Sequence, residues 1–167
     1  MSKQLILVRH GNARSATYGV EDFDRTLDNK GVNEAQEVAF RLKNRHILPE
    51  LLVSSSAIRA ISTARIFAGI WDIKPEHILM KDAIYESSIT TLLRIVNNLP
   101  EDTDSAALFG HNPEMSAFME YLADTGIVAL PTCGVVVISF DVEHWNMISK
   151  DLGTMLLFDY PGAGNAS

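Results

Sequence analysis

The sequence predicts an α/β protein with a largely parallel central sheet and an antiparallel edge. Three observations carry that prediction. Short apolar runs alternate with longer segments of helical periodicity, the pattern that lays helices on the faces of a parallel sheet. Leu5 to Val8 and Ala106 to Phe109 are continuously apolar, as strands buried on both faces are. Three further apolar runs close the chain, and the last two read as antiparallel neighbours.

Taken in order, Leu5 to Val8 is a buried strand that ends at charge and Gly11. Residues 11–28 are polar and turn-rich and read as a long loop, and long loops in compact domains are often functional. A helix follows from Asn29 to His46, with Ala35, Val38, Ala39 and Leu42 at i, i+3, i+4, i+7 spacing and Asp28 as N-cap. Leu51 to Val53 is a short strand, and Ser54-Ser55-Ser56 supplies helix-start chemistry for a second amphipathic helix through Ala57, Ala60, Ile61, Ala64, Phe67 and Ala68. His77 to Lys81 reads as a short strand. Ser87 or Ser88 caps a helix carrying Ile89, Leu92, Leu93 and Val96. After the strand Ala106 to Phe109, Asn112 and Pro113 serve as cap and first helical residue for a helix with Met115, Phe118, Met119 and Leu122 on one face. Val135 to Phe140, Trp145 to Ser149 and Met155 to Phe158 are the closing strands.

The chain has 167 residues, which implies one domain over 1–160 and a frayed tail from Pro161 to Ser167. Hydrophobic residues make up 47% and charged residues 21%, an ordinary globular balance that excludes a disordered or collagen-like chain. Fourteen basic residues against 21 acidic give a net charge of −7, a poor match to nucleic acid, which demands a broad basic face. Cys133 is the one cysteine, so no internal disulfide forms. The apolar start is too short for a signal-peptide core, and no stretch approaches the roughly 20 residues of a membrane span. The expectation is a cytoplasmic protein with no membrane partner.

Ligands of a parallel sheet sit beyond the carboxyl ends of its strands. Those ends carry Arg9-His10-Gly11, then Ser54-Ser55-Ser56 with Arg59, then Tyr85-Glu86, then Gly110-His111-Asn112-Pro113. Two arginines, two histidines and a carboxylate thus converge on one sheet edge. Arginine presents a fixed fork of donors that matches phosphate oxygens. A histidine beside two guanidinium groups has its charged form disfavoured and stays a neutral nucleophile. Gly11, without a Cβ, lets an anion approach its backbone. No metal-ligand cluster is visible, and the arginines supply the charge neutralisation that a divalent ion would otherwise supply. The set describes a phosphoryl-transfer site without metal or cofactor.

These residues resemble the Arg-His-Gly signature of the histidine phosphatase superfamily, of phosphoglycerate-mutase-like fold, and within it the SixA-type phosphohistidine phosphatases. The resemblance runs in order through Leu7-Val8-Arg9-His10-Gly11, Asp22-Phe23-Asp24-Arg25-Thr26-Leu27, Gly31 and Ala35, Ser54-Ser55, Arg59-Ala60 and Thr63-Ala64, Gly110-His111-Asn112-Pro113, and Thr132-Cys133-Gly134-Val135. It implies a three-layer α/β/α sandwich. It implies His10 as the phosphorylated nucleophile, with Arg9, Arg59 and a protonated His111 holding the phosphoryl oxygens, and Glu86 as proton donor. Asp24 is a second candidate acid. Ser62 stands where the family pattern has glutamine, a change expected to concern packing or capping.

The 38 residues between Trp71 and Gly110 leave little chain for a helical lid. A shallow, open site suits a phosphorylated side chain on another protein, so the resemblance implies protein phosphohistidine as substrate. A small phosphate ester is the alternative, and a non-catalytic module binding phosphorylated partners is a third reading. Arg25 is expected to anchor the long loop to a nearby acid. Arg14 is expected in solvent, and Cys133 in the core as a small inert residue. His46, His77 and His144 read as surface or helix-end residues, and the stripe from Met115 to Leu122 as core.

Overall fold

The computed structural model describes residues 2–163. The chain runs β1 (Lys3–Arg9), α1 (Asn29–Asn44), β2 (Leu51–Ser54), α2 (Ile58–Ile70), β3 (Ile78–Met80), α3 (Ile89–Asn97), β4 (Ser105–Gly110), α4 (Glu114–Ala123), β5 (Val135–Phe140) and β6 (Gly153–Asp159). The six strands form one sheet in the order β3-β2-β4-β1-β5-β6. β3, β2, β4 and β1 are parallel. β5 runs against β1, and β6 against β5. The predicted sheet, parallel with an antiparallel edge, is the one observed.

Alternation along β1 explains the layers, because successive side chains point to opposite faces. Leu5 and Leu7 join a core with Leu92 and Val96 of α3 and Met115, Phe118, Met119 and Leu122 of α4. Ile6 and Val8 join the other core, with Ala35, Val38 and Leu42 of α1 and Ala64 and Phe67 of α2. The fold is therefore an α/β/α sandwich whose central strand is buried on both sides. The caps agree with the sequence at two helices. Asp28 accepts from Gly31 N–H at 2.7 Å to start α1, and Ser88 accepts from Thr91 N–H at 3.1 Å to start α3.

Three expectations are corrected. Trp145 to Ser149 is not a strand; Trp145–Met147 is a 3-10 turn. Its carbonyls have another partner, since Asn97 Nδ2 donates to both Trp145 O and Ile148 O. The buried Trp145 indole donates to Thr103 O at 2.9 Å and pins the turn under α3. Secondly, α2 is capped by Ala57 rather than by a serine of the Ser54–Ser56 run, although Ser55 Oγ accepts from Ala57 N–H at 3.1 Å. Thirdly, α4 starts one residue later than expected, with Pro113 at its N-cap and Glu114 first. In the expected tail, residues 161–163 form a turn in which Gly162 N–H donates to Glu37 Oε2 at 2.7 Å, and residues 164–167 lie outside the described residues. Among the described residues, no helix is long and apolar enough to cross a membrane.

Candidate active site

The carboxyl ends of β1, β2 and β4 lie side by side, and the first residues beyond them build the site. His10 follows β1. Its N–H donates to Gly110 O at 3.0 Å, and its carbonyl accepts from Cys133 N–H at 3.0 Å, so its backbone is fixed from both neighbouring segments. The ring is also fixed. Nδ1 lies 2.7 Å from Gly11 O. A carbonyl only accepts, so Nδ1 carries the proton and Nε2 keeps its lone pair. Arg59, the second residue of α2, donates its Nε–H toward that atom at 3.3 Å. Burial, and behind it the guanidinium groups of Arg59 and Arg9, pushes the His10 pKa down to about 4. The neutral histidine expected from the sequence is present. Burial rather than the arginines is its main cause.

His111 follows β4, its ring centroid 5.1 Å from that of His10. Its Nε2 lies 2.8 Å from Ser55 Oγ, in the first residue past β2. The Ser55 oxygen already accepts from Ala57 N–H, so its own proton is available for Nε2. With the serine donating, the imidazole proton lies on Nδ1, a buried atom with no hydrogen-bond partner among the described residues. Burial, then His10 and Arg59, pushes His111 down to about 3. Burial and these neighbours favour the neutral ring, whereas the protonated His111 implied by the resemblance concerns the site with a phosphoryl group in it.

Arg9 ends β1, with Nη1 donating to Leu130 O at 2.9 Å and a buried Nε that has no partner among the described residues. Arg59 has a second anchor. Its Nη1 and Nη2 donate to Asp22 O at 2.6 Å and Asp22 Oδ2 at 3.0 Å. Asp22 sits on a 3-10 turn, Asp22–Asp24, within the loop 11–28. Tyr85 Oη donates to its Oδ2 at 2.7 Å and Arg25 Nη1 to its Oδ1 at 3.0 Å. The Tyr85 hydroxyl, then the Arg25 and Arg59 guanidinium groups, hold the Asp22 carboxyl well below the usual carboxylate range. Arg25 thus anchors the loop to an acid, as expected, and its Nε also grips Arg14 O at 2.8 Å.

Arg9, His10, Arg59, His111 and Glu86 all line one cleft of about 430 Å³, with Asp22 and Arg25 beside them. These five residues expected at the site are therefore in one place. Glu86 is exposed, with backbone φ of 50°, the left-handed region that a non-glycine residue enters at some cost. Asp24 is not in this cleft; it lines a neighbouring cavity with Arg14 and Thr17. Gly11 plays a different part from the one expected. Its N–H donates to Thr63 Oγ1 at 2.9 Å, and a Cβ there would meet Gly31 O at 3.1 Å, a tight contact that glycine avoids. Cys133 is buried, and burial pushes its thiol up to about 12, as suits an inert core residue. Asp22, Tyr85 and Ser55 are named from the sequence, in a motif or at a strand end, but are given no catalytic role there. Asp22 lies inside a quoted motif, and its match was the available signal.

The family model of the histidine phosphatase superfamily, branch 1, matches residues 5–83, which include Arg9, His10 and Arg59. A solved structure from Agrobacterium tumefaciens, assigned as the phosphohistidine phosphatase SixA, superposes with a TM-score of 0.81 at 28% identity, covering 96% of this chain and 99% of that one. The chain is thus similar to the histidine phosphatase superfamily over residues 5–83 and to a SixA structure over nearly its whole fold. A SixA structure from Nakamurella multipartitia shares the fold at TM-score 0.81 and 23% identity, covering 98% of each chain. An uncharacterized protein of Picosynechococcus sp. is 28% identical over 121 residues, 72% of this chain and 73% of that protein. The fold is SixA-like, and the family match and the fold together support phosphatase activity.

Proposed function

We propose that the chain is a metal-independent phosphatase that works through a covalent phosphohistidine at His10, with protein phosphohistidine as its substrate. The observation that carries this reading is the state of the His10 ring. Nδ1–H is held by Gly11 O, the ring is uncharged, and the Nε2 lone pair faces the cleft-lining Arg59. In the first half-reaction Nε2 forms a bond to phosphorus while the bond from phosphorus to the leaving nitrogen or oxygen breaks. Arg9, Arg59 and the Nδ1–H of His111 meet the charge on the phosphoryl oxygens. Preorganised donors of this kind are worth about 2.7–4 kcal/mol each. Glu86 gives its proton to the leaving group. In the second half-reaction water attacks phosphorus, the Nε2–P bond breaks, Glu86 takes back a proton, and inorganic phosphate leaves.

A small phosphate ester is the second reading, favoured by the cleft volume of about 430 Å³, which falls within the range that holds a metabolite. One experiment tests the covalent step under either reading. The protein is mixed with a radiolabelled phosphohistidine protein, quenched without acid and mapped by peptide. Label on the peptide bearing His10, absent in His10→Ala, is the expected result. Hydrolysis that persists in His10→Ala at a tenth or more of the wild-type rate overturns the mechanism. Full activity after exhaustive chelation is expected, and loss restored only by a divalent ion would reject the metal-independent reading.

A further inference from the structure

The charges in the cleft are sorted by depth. Its floor is basic and buried: Arg59 is 6% exposed, and Arg9 and the two histidines lie beside it. Its rim is acidic: Asp22 and Glu86 are exposed and Glu114, the first residue of α4, is half-buried. Three arginines and three carboxylates line the cleft while both histidines are neutral, so the site carries no formal net charge before a ligand enters. The partnerless Nδ1 of the buried His111 and Nε of Arg9 mark the floor as the place where an anion is received.

We infer that the acidic rim selects substrates whose phosphoryl group is surrounded by positive charge, a phosphorylated side chain set in a basic face of a carrier protein, and turns away phosphates that bear a second anion nearby. This deepens the proposed function and rests on it. A phosphoryl dianion placed on the floor leaves the whole cleft negative. Whatever flanks that phosphoryl group then lies against the carboxylates of Asp22 and Glu114, with Glu86 holding the proton it gives to the leaving group. Lysine or arginine there is attracted by both the rim and the chain's net charge of −7, whereas a carboxylate or second phosphate is repelled by both. Asp22 is the rim residue that cannot easily leave, because Arg59, Arg25 and Tyr85 all hold its carboxylate.

The test uses two peptides that carry a non-hydrolysable phosphonate analogue of phosphohistidine, one flanked by lysines and one by glutamates. Binding to the wild-type protein is measured by calorimetry at low and moderate salt. Charge pairs at a surface spacing of several ångströms predict that the lysine-flanked peptide binds about tenfold or more tightly at low salt, with the gap closing as salt rises. In Glu114→Gln and in the double variant Asp22→Asn with Glu114→Gln the gap should narrow stepwise, to about threefold in the second. Equal affinity for the two peptides, or a preference for the glutamate-flanked one, overturns the inference. So does a lysine preference that the rim variants leave unchanged. Because binding is read without turnover, this outcome is separate from failure of the proposed function, which appears as no hydrolysis of the natural phosphohistidine linkage.

Discussion

Arg59 and His10 meet nitrogen to nitrogen: the guanidinium Nε lies 3.3 Å from the imidazole Nε2. A donor facing that atom is compatible only with an unprotonated Nε2, so the contact and the low His10 pKa, about 4, describe one state.

That state makes stability depend on pH with a definite sign. In the unfolded chain a histidine titrates near 6.5. In the folded protein His10 titrates near 4 and His111 near 3. Between those limits the unfolded state binds more protons, so stability falls as pH falls. The expected loss from pH 6.5 to pH 4 is on the order of a few kcal/mol, with carboxylate effects such as that of Asp22 beginning below about pH 5. Denaturant unfolding of wild type and His10→Asn at pH 7, 6, 5 and 4 measures it. The variant should lose less stability across that window; parallel curves would show that the buried ring does not carry the effect.

Ser55 supports His111 through one hydroxyl that also accepts from Ala57 N–H. Ser55→Ala removes both contacts and frees the imidazole to change tautomer. The expected outcome is a fall in kcat of about tenfold to a hundredfold with a smaller change in KM, because a misplaced donor costs most in the transition state. Ser55→Thr, which keeps the hydroxyl, should recover most of that loss. A variant with unchanged kcat would mean that the serine serves only the start of α2.

The strand-end residues were legible because each is local. A short apolar run, a charged or histidine residue at its end and a glycine place Arg9, His10, Gly110 and His111 without any knowledge of contacts. The parallel order of the sheet then brings them together. Asp22 was not legible as a site residue, because its partners Arg59 and Tyr85 are 37 and 63 positions away along the chain. Ser55 looked like a helix cap because serine before a helix usually is one. Trp145 to Ser149 looked like a strand because its composition suits one. The competing partner, Asn97, belongs to a different element and leaves no mark in that stretch.

Gly31 fixes where the long loop lies. It sits in the first turn of α1, and a Cβ there would stand 2.1 Å from Asn12 O, a backbone atom that cannot simply rotate away. Gly31→Ala therefore forces the loop 11–28 off the helix. With Asp22 and Arg25 carried on that loop, the predicted result is a lower unfolding midpoint, by roughly 2 kcal/mol or more, together with a raised KM. Thermal unfolding and steady-state kinetics on the same preparation check it. A destabilised protein with an unchanged KM would show that loop position does not matter to substrate binding.

Glu86 gives the sharpest prediction, because its proposed task depends on what leaves. It lines the cleft after β3, exposed and next to Tyr85. Imidazole leaving phosphohistidine is the conjugate base of a group with pKa near 6.5, and departs with little help. An alkoxide leaving a serine or sugar phosphate is far more basic and takes a proton in the transition state, help worth roughly 10²–10⁴-fold. Glu86→Gln keeps the shape and removes the proton. It should therefore slow alkyl phosphate hydrolysis by about a hundredfold or more, and phosphohistidine or phosphoramidate hydrolysis by less than about tenfold. The measurement is kcat/KM on both substrate types for wild type and variant. Equal losses would make Glu86 a residue that positions phosphate. The acid would then be sought among the other carboxylates of the cleft, with Glu114 ahead of the tightly held Asp22 and with Asp24 set aside because it faces another cavity.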